Sequence, residues 1–278
     1  MFQYAAGHAL ALKLGVDLKL DTIDFVGYDL HQGFELDRIF DINTPTASVE
    51  EVESILGWRG NSTVRQFYRK ICKGIAQSSY VIEPTFTYWP NVYQLADNAY
   101  LEGHWQSEKY FAEIASVVHK SFTFKINLED KNLELLHLIN TSNSVSLHIR
   151  RGDYVSNIAN SKIYYQCSID YYTRAIEHIG KAIDNPVFFV FSDDMQWAKG
   201  NLNFDYEFVF INHNSGEDSY IDMQLMSLCK HNIIANSTFS WWGAWLNANP
   251  KKNIYTPKEW FINGRSSDDL IPVSWHRI

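Results

Sequence analysis

Apolar and polar residues alternate in two different rhythms along this chain. From about residue 145 onward, short apolar runs of strand length take turns with stretches of helical period. Val145 to Ile149 alternates and then runs into two arginines. Val187 to Phe191 is continuously apolar, the mark of a strand covered on both faces. Tyr206 to Ile211, Asn232 to Ala235 and Ile254-Tyr255 read as further strands. Between them, a helix from about Ser168 to Ile183 places Ile169, Tyr172, Ile176, Ile179 and Ile183 on one face, and Asn185-Pro186 breaks it. A helix from Ser219 to Lys230 turns Ile221, Leu225 and Leu228 inward. Asn236-Ser237-Thr238 caps a last helix through Phe239 to Asn247, and the tail after residue 255 is irregular. Such alternation predicts an α/β fold with a parallel sheet and helices on both faces. Ligands on sheets of this kind bind beyond the carboxyl ends of the strands.

The pattern before residue 140 is less regular. A helix over about 2–14 leads to a short strand, Val16 to Leu20, and Leu36 to Ile42 reads as a strand end or a turn. Helices are expected over 49–56 and 63–76. Pro84 and Pro90 make Tyr80 to Tyr93 a loop with a short strand, and Tyr100 to Trp105 is a strand candidate. Phe111, Ile114 and Val118 give 107–119 a helical spacing, and 128–139 is another helix. The polar turn at 140–144 places a boundary between an N-terminal half, 1–140, and a C-terminal half, 141–278. Met1 is followed at once by a helical pattern, with no strand or cap before it. A truncated start is therefore the expectation.

Composition narrows the function classes. The 278 residues suffice for one large domain or two modest ones. A net charge of -8 with no dominant basic stripe disfavours nucleic acid, while a local arginine pair can still hold a small anion. Cys72, Cys167 and Cys229 are far apart and odd in number, with neither zinc spacing nor a disulfide framework, as in a reducing compartment. No run approaches transmembrane length. A cytoplasmic location is expected, with peripheral contact with the inner face of the membrane as a further expectation.

Three polar clusters follow predicted strands, so the sheet should bring them to one edge. The first is Arg150-Arg151-Gly152-Asp153. Guanidinium is a permanent charge on a planar fork that matches phosphate oxygens two at a time, so the pair suggests a diphosphate site; a surface charge pair is the plain alternative. The second is Ser192-Asp193-Asp194. Adjacent carboxylates on an extended segment point to opposite sides and seldom share one metal ion. One is expected to hold ribose or base N–H groups and the other to cap the turn Met195-Gln196-Trp197. The third is Asn236-Ser237-Thr238, where a helix N-terminus favours an anion and the hydroxyls could add hydrogen bonds; a simple cap is the alternative. Trp242 and Trp245 read as packing between helix and sheet. His148 is either a core histidine or an orienting group for phosphate. Neither a zinc-binding His-Glu-x-x-His nor a Gly-x-Ser-x-Gly elbow is present.

With these segments stand Met1-Phe2-Gln3-Tyr4-Ala5, Leu101 to Phe111, His148-Ile149-Arg150-Arg151-Gly152-Asp153-Tyr154, Phe191-Ser192-Asp193-Asp194 and Asn236 to Leu246. In them the chain resembles the bacterial α-1,2-fucosyltransferases, family 11 of the glycosyltransferases. The resemblance implies a GT-B-type fold of two Rossmann-like halves facing a cleft. It implies transfer of L-fucose from GDP-β-L-fucose to the 2-hydroxyl of a terminal galactose, with inversion, no cofactor and no metal. Members of that family begin with a strand and a Gly-Asn-Gln turn before Met-Phe-Gln-Tyr; here the chain starts at that Met, so part of the first half is expected to be missing. By the same resemblance Arg151 grips the diphosphate with Arg150 in support, Ser192, Asp193, Asp194, Asn236, Ser237, Thr238 and Phe239 complete the donor site, and His104, Trp105 and Gln106 meet the glycan acceptor. Asp153 either orients Arg151 or acts as general base, and His148 stays open for that role. A fucosyltransferase of other linkage and a non-catalytic nucleotide- or glycan-binding fragment are the alternatives.

Overall fold

The computed structural model describes residues 1–25, 33–57, 79–152, 154, 157 and 161–278. The expected helix over 63–76 and the candidate Asp153 lie outside the described residues. The chain forms two compact units, one of residues 1–125 with 268–272, the other of 126–267 with 273–278.

The first unit opens with α1 (Phe2–Leu14), buried along Phe2, Tyr4, Ala5, Ala6, Ala9, Leu10 and Ala11. It stops at Gly15, whose left-handed backbone (φ 69°) turns its N–H back to the last carbonyls. The expected strand at 16–20 is reduced to a single bridge, Leu20 to Thr46. At 36–42 the chain makes a short helix, α2 (Leu36–Ile39), and then a bridge from Phe40 to Phe124. Helix α3 (Val49–Leu56) begins with a reciprocal cap. Ser48 Oγ accepts from the Glu51 N–H (3.2 Å), and the Glu51 carboxylate accepts from the Ser48 N–H (3.0 Å). Its Val52 and Leu56 pack on Tyr80 of β1 (Tyr80–Ile82), which pairs in parallel with β2 (Tyr100–Glu102).

The single helix expected over 107–119 is instead two 3-10 turns followed by α4 (Ala115–Ser121). Phe111 sits between the turns at φ -138°, outside the helical region, with its ring buried. Burial of that ring decides the local path over helical period.

In the second unit α5 (Asp130–Thr141) lays Leu135, Leu138 and Ile139 against Val187, Phe189 and Phe191. The units therefore divide near residue 125 and not at 140–141, because this helix covers one face of the second sheet. The chain continues through β3 (Asn143–Ile149), α6 (Ile169–Ala182), β4 (Pro186–Ser192), α7 (Met195–Asn201), β5 (Glu207–Ile211), α8 (Tyr220–Leu228), β6 (His231–Ile233), α9 (Thr238–Leu246), β7 (Ile254–Thr256) and β8 (His276–Arg277). The six strands pair in the order β5-β4-β3-β6-β7-β8, all parallel. The tail expected to be irregular thus supplies the last strand.

Alternation along β3 separates two environments. Val145, Leu147 and Ile149 enter the core beneath α6, with Tyr171, Tyr172, Ile176 and Ile179. Ser144, Ser146 and His148 face the other way. There Asn232 donates to Ser146 Oγ (2.7 Å) and to the Met226 carbonyl (2.8 Å), and accepts from Asn247 (2.8 Å). A buried polar chain with its partners in place can sit in a core. On α8 the inward residues are Tyr220, Met223, Leu225 and Met226; Leu228, expected inside, is 40% exposed. The close approach of α9 fixes this face, since a Cβ at Gly243 would lie 2.9 Å from Met226 Cβ.

Candidate functional site

In the sheet β3 lies between β4 and β6, so the three polar clusters leave neighbouring strand ends. The structure joins the first two directly. Arg150 Nη1 pairs with Asp193 Oδ2 at 2.9 Å, and the Arg151 N–H donates to Asp193 Oδ1 at 2.8 Å. Arg151 Nε donates to Asp194 Oδ2 at 3.3 Å. Both adjacent carboxylates thus engage the arginine segment, Asp193 through the Arg150 side chain and the Arg151 N–H, Asp194 through Arg151 Nε. Asp194 Oδ1 also accepts from the Trp197 N–H (3.0 Å), making Asp194 the N-cap of α7, while the Asp194 N–H donates to Ser192 Oγ (3.0 Å). A Cβ at Gly152 would stand 2.8 Å from Asp193 Oδ2, so any other residue there would push that carboxylate off its place beside Arg150.

The third cluster splits in two. Asn236 is 1% exposed, and its side chain is spent inside the protein. Its Nδ2 donates to the carbonyls of Tyr165 (2.6 Å) and Trp260 (3.0 Å), and its Oδ1 accepts from the Cys167 thiol (3.4 Å). Burial pushes that thiol up to about 12, so it keeps its proton. The Asn236 carbonyl accepts from Tyr154 Oη (3.0 Å), which ties this strand end to the arginine loop. Asn236 thus holds the loop and presents no amide to a donor. Ser237 is the N-cap of α9 by position, yet its side chain makes no capping hydrogen bond. The plain-cap alternative therefore does not describe its hydroxyl. Ser237, Thr238 and Phe239 are only partly buried. Behind them Trp241, Trp242 and Trp245 pack edge and face on one another and are buried, as core residues.

His148 is 6% exposed, with its ring near Phe239, and its Nδ1 has no hydrogen-bond partner among the described residues. Burial, and then the Arg150 charge, push its pKa down to about 3 from 6.5. A neutral ring so reluctant to take a proton is a poor general base. It also carries an acid liability. Below about pH 6.5 the unfolded histidine binds a proton that the folded one refuses, so stability is full above that pH and falls as pH drops towards 3. His148→Gln should shrink the stability difference between pH 7 and pH 5 by about 2 kcal/mol, read from urea unfolding at both pH values. Equal differences in the two proteins would disprove this account.

The acceptor-side residues lie in the first unit, just beyond β2. The N–H groups of His104 and Trp105 donate to the Glu83 carboxylate at 2.7 and 3.1 Å. His104 is exposed and Gln106 partly buried. Trp105 is 1% exposed, with a left-handed backbone (φ 53°) and its ring edge-on to Tyr110. It is a core residue and offers no face to a sugar ring. Glu83, which organises this turn, had no sequence signal beyond being a carboxylate after a short strand. Among the described residues, no three His, Cys, Asp or Glu side chains group to hold a metal ion, and no helix is long and apolar enough to cross a membrane.

Comparison with known proteins adds to this geometry. The model of Glycosyl transferase family 11 matches residues 66–269. The chain is similar to an alpha-1,2-colitosyltransferase of Escherichia coli, 38% identical over 284 residues that span 100% of this chain and 94% of the relative. It is similar to an O-antigen biosynthesis glycosyltransferase of Escherichia coli, WbnK, 34% identical over 99% of this chain and 95% of the relative. Among solved structures it resembles the fucosyltransferase NodZ from Bradyrhizobium, with a TM-score of 0.53 and 13% identity over 87% of this chain and 86% of that one. That likeness is one of fold, the GT-B-type α/β architecture.

Proposed function

This chain belongs to glycosyltransferase family 11, and from that premise we propose that it transfers L-fucose from GDP-β-L-fucose to the 2-hydroxyl of a terminal galactose, with inversion and without a metal ion. One observation carries the reading. Arg151 is tied at its backbone N–H and its Nε, while neither of its Nη atoms has a hydrogen-bond partner among the described residues. A guanidinium held this way offers two parallel N–H bonds to a diphosphate. Negative charge gathers on that diphosphate as the bond from fucose C1 to oxygen breaks, and a fixed cation there lowers the barrier. The uncapped first turn of α9, with the Ser237 and Thr238 hydroxyls, supplies a second set of donors. Asp193 and Asp194 are assigned to holding the arginines, not ribose or guanine, because both carboxylates are engaged by them. Arginine charge then does what a metal ion does elsewhere. His104 and Gln106 are assigned to the acceptor.

A second donor is favoured by the 38% identity across the whole chain to an alpha-1,2-colitosyltransferase. Colitose is fucose without its 3-hydroxyl, so the same clamp and the same inversion serve it. The deciding experiment incubates the purified chain with GDP-fucose or GDP-colitose and lactose, with and without EDTA, and identifies the product by mass spectrometry and NMR. A 2-O-fucosylated galactoside formed equally in EDTA is the expected result. Product from GDP-colitose alone would move the assignment to colitose, and loss of product in EDTA would end the metal-free mechanism. No product from either, with GDP still raising the Tm, would leave a nucleotide-binding protein without catalysis.

A further inference from the structure

We infer that Trp197 is a positioning residue that fixes the plane of the Arg151 guanidinium, an inference that rests on the reading of Arg151 as the diphosphate clamp. The Arg151 Cζ lies 4.3 Å from the centroid of the Trp197 ring, close enough for a face contact. The same Asp194 carboxylate serves both residues. One oxygen accepts from Arg151 Nε and the other from the Trp197 N–H, so the turn that carries the indole and the arginine above it share one anchor. The indole is itself braced: it stands edge-on to Tyr172, 6.2 Å between centroids, and Tyr172 is fully buried on α6.

A guanidinium gripped at Nε alone can still swing about that hydrogen bond. Covering one face with a braced indole removes the swing. The pair of Nη atoms is then aimed in one direction before any ligand arrives, so less rotamer freedom is lost on binding. Arg150 is held differently. It pairs with Asp193, and its guanidinium stands over the Tyr154 ring at 5.7 Å. Arg151 is held by a hydrogen bond at Nε and by the indole at 4.3 Å, which leaves its Nη pair pointing outward.

The test is a double-mutant cycle read by donor kcat/KM and by GDP affinity from calorimetry. Trp197→Leu should lower both by about tenfold, within the span expected for a partly desolvated cation–π contact, and Trp197→Phe should recover most of the loss. In an Arg151→Lys background, Trp197→Leu should cost less than about twofold, because an ammonium has no plane to fix. An equal loss in both backgrounds, matched by a fall in Tm, would make Trp197 a packing residue and overturn the inference. So would a Trp197→Leu enzyme with unchanged kcat/KM and GDP affinity while Arg151→Ala is inactive. If Arg151→Ala itself keeps turnover, the clamp reading fails first, and this inference with it.

Discussion

Arg151→Ala is expected to lower kcat/KM for the GDP-sugar about a thousandfold or more while leaving the Tm within a few degrees of the parent. The side chain is the one group at the site whose charged edge is oriented yet unengaged among the described residues. Losing two charge-assisted N–H bonds to a leaving diphosphate removes stabilisation where charge develops, in a site partly shielded from water. The fold should tolerate the change. Asp193 keeps Arg150, and Asp194 keeps the Trp197 N–H it caps, so neither carboxylate is stranded. Arg151→Lys keeps the charge and loses the fork, and should fall between the two, about a hundredfold down. Arg150→Ala should do less than Arg151→Ala, since Arg150 is already committed to Asp193. Initial rates with a labelled donor, together with a melting curve for each variant, check these ranks. An Arg151→Ala enzyme within tenfold of the parent would sink the clamp.

How far the site could be read beforehand follows from how its residues are held. Clusters that leave strand ends were legible, because a parallel sheet sends every strand the same way and the apolar runs mark where each one stops. The capping of the turn at 195–197 by one of the two aspartates was legible too. Trp197 was not. It lies in a helix of seven residues that read only as a turn, and its partner Arg151 is 46 positions away in sequence. The resemblance put Trp105 on the acceptor, but a glycine turn and the Glu83 carboxylate bend the chain so that its ring is buried. Leu228 fitted the helical stripe, yet the contact across Gly243 rotates the buried face of α8 towards Met223 and Met226. In each case a contact distant in sequence overrode a local period.

Asn236 separates a residue that binds a ligand from one that holds the loop which binds it. Its motif placed it among the donor contacts; its hydrogen bonds place it beneath them. Asn236→Asp replaces the Nδ2 donor by a second acceptor facing the carbonyls of Tyr165 and Trp260, 2.6 and 3.0 Å away, at a position 1% exposed. The partly buried Tyr165 carbonyl loses its partner, at about 1–3 kcal/mol, while the Trp260 carbonyl keeps the Tyr165 N–H (3.0 Å) but faces a repelling oxygen; the new carboxyl is either charged out of water or forced to keep a proton. A loss of about 4 kcal/mol, or a Tm lower by about 10 °C, is expected. Asn236→Ala should cost less, because it strands the Tyr165 carbonyl without adding a repelling oxygen. Below the new midpoint, GDP affinity should stay within a few-fold of the parent, since Ser237, Thr238 and the arginines are unchanged. Calorimetric melts run beside a GDP titration at low temperature decide the matter. An Asn236→Asp protein that melts like the parent but no longer binds GDP would put the amide on the donor after all.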